Sequence, residues 1–139
     1  MDSTRKIGAR VAKETDMLNT NLKHIESDEA FETLLANNEN VMVCCGRMGP
    51  MCIPVYDVME KLEGKYPHVQ FRDMAFDSTV SHHIRALPEV RGFNSLPMVV
   101  YYQKGRVVAA TSGIQNKQQV SAMLNQLFMP EQQAAAATL

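Results

Sequence analysis

Cys44, Cys45 and Cys52 are the only cysteines of the chain, and they fall within nine positions of the segment Val41-Met-Val-Cys-Cys-Gly-Arg-Met-Gly-Pro-Met-Cys-Ile-Pro54. That segment runs from a β-branched strand pattern into a helix pattern. A thiol at such a junction lies near helix amides that have no intrahelical partner, and these favour a thiolate. The chemistry indicated is thiol redox exchange. Cys52, in the expected first helical turn, is the better thiolate candidate, with Arg47 adding positive charge nearby. Cys45 is its expected partner. A bridge requires Cα atoms within about 4.4–6.8 Å, and the intervening Gly46 and Gly49 allow the loop to fold back that far. Either thiol can then attack a substrate disulfide while the other resolves it, and the spacing does not decide which. Cys44 is expected inside a strand, where a free cysteine packs as a small hydrophobe. Strand alternation sends Cys44 and Cys45 to opposite faces, so at most one reaches the site directly.

Other reactive side chains carry less. Met48 and Met51 flank the loop, and thioether with thiolate suits Cu(I). The chain has ten methionines, however, so packing or a peptide-contacting surface is the simpler reading. His82 and His83 follow Asp77 early in an expected helix. Neighbours there point about 100° apart, so a solvated helix face is expected rather than a shared site. Asp57 and Glu60 read as exposed charges. Tyr101 and Tyr102 should face opposite layers. No Ser-His-Asp arrangement, phosphate-cradling glycine loop or His/Cys zinc spacing stands out.

The elements that must position these residues follow from periodicity. Residues 1–20 are polar and sparse in apolar positions, which suits a short helix or loose arm. Leu22–Ile25 reads as a brief edge strand. Ser27 caps a helix carrying Phe31, Leu34 and Leu35, which stops at Asn37-Asn38. Val41–Cys45 is a strand buried on both faces. Gly46–Pro50 is a loop, and a helix begins near Pro50, with Val55, Val58, Met59 and Leu62 on one face. Pro54 is expected to kink it. A strand over His68–Met74 puts Val69 and Phe71 on one side. A short helix from Asp77 and Ser78 through Leu87 stops at Pro88. Met98–Tyr102 and Arg106–Thr111 form a hairpin through Lys104-Gly105. Asn116 and Gln119 make a capping box for a last helix with Val120, Met123, Leu124, Leu127 and Phe128 inward. Residues 130–139 read as a disordered tail. The 139 residues, 45% hydrophobic and 21% charged, suit one compact domain. A net charge of −1 gives no electrostatic case for nucleic acid or an anionic membrane surface. The apolar runs are too short to span a bilayer. Three thiols do not suggest a secreted disulfide framework, so the expected location is cytoplasmic.

Alternating strands and helices followed by a hairpin and helix predict an α/β fold with a mixed central sheet. With the residues in it, this order resembles the thioredoxin family over about residues 21–129. Val90-Arg-Gly-Phe-Asn-Ser-Leu-Pro-Met-Val-Val-Tyr-Tyr is similar to the family's Ile-Pro-Thr stretch and following strand. Gln103-Lys-Gly-Arg is similar to its Lys-Asn-Gly-Glu turn, and Gly113 falls at its glycine before the last helix. The resemblance implies a three-layer α/β/α sandwich with a C-terminal β-hairpin and helix. It also implies a cis proline at Pro97 that, with Leu96, docks a substrate backbone. The family's Trp-Cys-Gly-Pro-Cys segment is altered. Met48-Gly49-Pro50-Met51 stands at its tetrapeptide, Cys52 follows at once, and Cys44 takes the place of its buried aspartate.

On that basis the expected activity is thiol-disulfide exchange and electron transfer with a protein substrate through Cys45 and Cys52. Met48, Gly49, Pro50, Met51, Leu96 and Pro97 would contact substrate, and Cys44 and Arg47 would be accessory. No cofactor beyond the thiols is expected. The family suggests a flavoprotein reductant of the thioredoxin-reductase kind. The alternatives are a redox-inert binding module or assembly chaperone, and a Cu(I)-binding thiol/thioether protein.

Overall fold

The computed structural model describes residues 18–129. The expectations for the first seventeen residues and for 130–139 lie outside the described residues. Among the described residues, five strands form one sheet in the order β1-β3-β2-β4-β5: β1 Lys23–His24, β2 Asn40–Gly46, β3 Gln70–Ala75, β4 Met98–Gln103 and β5 Arg106–Ser112. β2 sits in the middle, parallel to β3 and antiparallel to β4, and β1 is parallel to β3. β4 and β5 are antiparallel, with a register shift at Tyr101/Tyr102. The sheet is therefore mixed, as the sequence predicts.

Strand periodicity divides the apolar side chains into two layers. Met42 and Cys44 of β2, Phe71 of β3 and Val99 and Tyr101 of β4 pack with helices α2 (Ile53–Leu62) and α4 (Lys117–Leu127). Val41, Val43 and Cys45 of β2, Met74 of β3 and Val100 and Tyr102 of β4 pack with α1 (Asp28–Asn37) and α3 (His82–Arg85). Every residue from Val41 to Cys45 has no exposed surface, which accounts for a strand that is apolar at consecutive rather than alternate positions.

Local signals fix several boundaries. The Ser27 hydroxyl accepts the Ala30 N–H at the start of α1, and Asn116 and Gln119 satisfy each other's backbone N–H groups at the start of α4. Such caps satisfy amides that the helix itself cannot. The hairpin turn has positive φ at Lys104 (53°) and Gly105 (80°), the left-handed pair that matches strand twist in two-residue turns.

Three expectations need correcting. α2 begins at Ile53, so Pro50 lies in the preceding turn and Pro54 occupies the first helical turn. A proline there removes no intrahelical hydrogen bond and introduces no kink. His82 and His83 do converge on one partner: their Nε2 atoms lie 3.0 and 2.9 Å from Asp28 Oδ1. The 100° separation applies to Cα–Cβ directions, and two long imidazoles at the mouth of a four-residue helix swing together, with ring centroids 4.1 Å apart. The hydrogen bond from His82 is the main cause holding the Asp28 carboxyl below its ordinary range. Glu60 is also more engaged than expected, accepting from the Asn21 backbone N–H at 2.9 Å.

Candidate functional site

The sheet's central strand ends at Gly46, and the chain then turns through Arg47–Cys52 into α2. Cys52 is the residue immediately before the helix, and the N–H groups of Cys52 and Ile53 both reach the Gly49 carbonyl, which tightens the turn. This turn folds Cys52 back over Gly46. A β-carbon placed on Gly46 would lie 2.7 Å from Cys52 Sγ, 2.7 Å from Tyr56 Oη and 3.1 Å from Pro97 Cβ. Gly46 is therefore the floor on which a thiol, a phenol and a proline meet. The Leu96–Pro97 peptide is cis, and the Pro97 carbonyl accepts the Gly113 N–H at 3.0 Å.

The Cys52 sulfur receives the Arg47 backbone N–H at 3.4 Å, while the Tyr56 hydroxyl donates to the Arg47 carbonyl at 3.1 Å. The Arg47 guanidinium points elsewhere. It makes two hydrogen bonds to Asp77, at 2.7 and 2.9 Å, and lies over the Phe76 ring. Its charge is thus largely matched by a carboxylate, which reduces the help it gives a thiolate.

This geometry corrects the expected activation of Cys52. Burial pushes its thiol above the ordinary value, and that outweighs the opposing Arg47 N–H, the Tyr56 hydroxyl and the Arg47 charge. Cys52 is only 3% exposed, so the sulfur loses more hydration than the turn's donors replace. Burial pushes Cys45 up to about 12 and Cys44 well above its ordinary range. All three thiols are free. We therefore expect Cys52 alkylation to be slow at pH 7 and to accelerate as pH rises beyond the usual thiol range. Cys45 should remain unlabelled until about pH 12 or unfolding. Peptide mapping of iodoacetamide adducts across pH checks both, and rapid labelling of Cys52 at pH 7 would contradict the first.

The three sulfurs are distributed unevenly. Cys52 and Cys44 pack in the layer with α2 and α4, whereas Cys45 packs across the sheet with α1 and α3. Met48, Pro50 and Met51 are exposed on the turn, Gly49 and Leu96 are half-buried, and Pro97 is buried. Met48 Sδ accepts the Asn19 N–H at 3.3 Å. Ile53 and Ile114 are also exposed, and Ile114 lines a groove with Pro54 and Val58 of α2.

Beside this site lies a group the sequence reading passed over. Asp73 on β3 is opposite Cys44 in register and has no exposed surface. Its carboxylate accepts from Thr20 Oγ1 at 2.5 Å and contacts His24 Nδ1 at 2.6 Å. Burial raises its pKa, with Thr20 and His24 opposing that rise. The available signal was alternation: Asp73 continues the inward series Val69, Phe71, and a carboxyl on such a face requires partners.

No family model matches the chain, and no curated protein matches it. Solved structures do. Thioredoxin from Plasmodium falciparum is similar at a TM-score of 0.63 and 19% identity, covering 76% of this chain and 99% of that one. Thioredoxin f2 from Chlamydomonas reinhardtii gives 0.63 and 18%, covering 79% and 99%. Mitochondrial thioredoxin 3 from Saccharomyces cerevisiae gives 0.62 and 19%, covering 76% and 95%. The resemblance first carried by the segment around Pro97 is thus shown in three dimensions: this chain has the thioredoxin fold.

Proposed function

We propose that the protein exchanges disulfides with a protein substrate, with Cys52 as the thiol that forms the mixed disulfide. The observation that carries this reading is the convergence of Cys52, Tyr56 and Pro97 on Gly46 at the start of α2. A donor N–H at the sulfur favours the thiolate in whatever state exposes it. The Cys52 thiolate attacks one substrate sulfur, the Cys52–substrate bond forms, and the second substrate sulfur leaves as a thiolate. A second protein thiol then attacks Cys52, which releases the substrate dithiol and leaves an intramolecular disulfide. An external flavoprotein reductase or dithiol supplies the two electrons that restore the starting state. Such a cycle needs no cofactor in this chain and suits the cytoplasm.

Cys44 is the better-placed second thiol on this reading, because it shares a layer with Cys52 while the expected Cys45 lies across the sheet. The test is mild oxidation of the folded protein followed by alkylation in denaturant, intact-mass counting and linkage mapping. Loss of two labels with a Cys44–Cys52 link supports the assignment, and a Cys45–Cys52 link would restore the pairing expected from sequence. Equal labelling of all three thiols before and after oxidation would remove the exchange reading. In that case a thiol-independent peptide-binding module is favoured by the exposed Met48, Met51, Ile53 and Ile114, which offer adaptable apolar contact. Peptide binding unchanged by reductant would support that second reading.

A further inference from the structure

We propose that Asp28, His82 and His83 bind one divalent transition-metal ion of the zinc class, independently of the thiol site. The donor atoms come from the first turn of α1 and the start of α3, and all lie within 4.8 Å of one another. Two imidazole nitrogens and one carboxylate oxygen suit Zn²⁺ and its neighbours Co²⁺ and Ni²⁺, not the oxygen-seeking Mg²⁺ or Ca²⁺. Three protein ligands leave a fourth tetrahedral position for water, and exposure of Asp28 and His82 leaves it open to solvent.

The surroundings prepare this arrangement. Asp28 directly follows the Ser27 cap, so its backbone is fixed where α1 begins. The Phe31 ring stacks on His83 at 4.4 Å and meets Tyr102 edge-on at 5.7 Å, which ties His83 to the buried layer. Asp28 Oδ1 already lies within 3.0 Å of both Nε2 atoms. An ion about 2.0–2.1 Å from each ligand requires only small ring rotations and replaces the shared hydrogen bonds with coordination. Binding then displaces any proton on the ligating nitrogens. The site lies in the α1/α3 layer, across the sheet from Cys52.

The test is calorimetric titration of the untagged, reduced full chain with zinc chloride, paralleled by visible spectroscopy with cobalt chloride. One ion per chain is expected, with no thiolate-to-cobalt charge-transfer band. His82→Ala and Asp28→Asn should each weaken binding at least tenfold, whereas His68→Ala should not. His82 is exposed, so His82→Ala should keep the wild-type circular dichroism spectrum and show the loss in a folded protein. Undiminished affinity in both site variants, a thiolate band, or no binding by the wild type would overturn the proposal.

Discussion

Replacing Gly46 with alanine is expected to lower stability by about 1–3 kcal/mol, the usual cost of forcing a methyl group into a packed site. The backbone of Gly46 is not in the left-handed region, so the cost comes from contact. The new Cβ would meet Cys52 Sγ and Tyr56 Oη at 2.7 Å, closer than carbon normally approaches either atom. The phenol has little room to retreat, because Tyr56 is buried and its hydroxyl holds the Arg47 carbonyl. Removing that hydroxyl should therefore relieve part of the clash. In a double-mutant cycle, Gly46→Ala should cost less in a Tyr56→Phe background, with a coupling of about 0.5 kcal/mol or more. Urea midpoints of the four proteins provide the measurement. Strict additivity would show that Gly46 and the Tyr56 hydroxyl do not meet as described.

Asp73→Ala is expected to cost about 2–3 kcal/mol, through loss of the buried hydrogen bonds to Thr20 and His24 and the small cavity left behind. The estimate stays below the range for a sealed ion pair because His24 is one-third exposed and can rehydrate. The loss should be local first. Thr20 and His24 would lose their anchor, so amide exchange across 20–24 should accelerate while β2 and β4 keep their protection. Asp73→Leu separates the two contributions. It removes the same polar contacts without the same void, and a well-packed apolar replacement can be nearly neutral.

The sign of the pH effect follows from the raised native pKa. The native state holds this proton more tightly than the unfolded chain does, so the linked stabilisation is fully present below the ordinary carboxylate value. It is lost as pH rises through the native value. Asp73→Asn should remove that slope. Persistence of the wild-type slope in the variant would assign it to other groups.

What could be read from the sequence divides by the range of the interaction. Ser27 with Ala30 and Asn116 with Gln119 act over three residues, and both helix starts are where those residues predict. The hairpin is equally local. The start of α2 was ambiguous because Pro50 and Pro54 each suit a first helical turn. What selected Ile53 was the turn's backbone bonding to Gly49. The Asp28–His82–His83 meeting spans more than fifty residues and depends on α1 and α3 sharing a layer. Asp73 was nearer to legible, since its parity with Phe71 was visible, but the partners Thr20 and His24 belong to a different strand and its approach. The Cys52 environment was misjudged for a related reason. Helix position suggested activation, whereas the depth at which the turn folds onto Gly46 set the larger, opposing contribution.

The placement of β2 between β3 and β4 also has a consequence during synthesis. Cys44 and Cys45 face opposite layers, yet both depend on β4 to cover one side of their strand. As the chain leaves the ribosome, about fifty further residues must emerge before that strand arrives, several seconds at ordinary translation speed. Throughout that interval the Cys45 sulfur, which takes no part in the exchange cycle, is open to oxidants that its buried position in the finished protein excludes. The nascent chain, rather than the mature one, is the form in which Cys45 is chemically vulnerable.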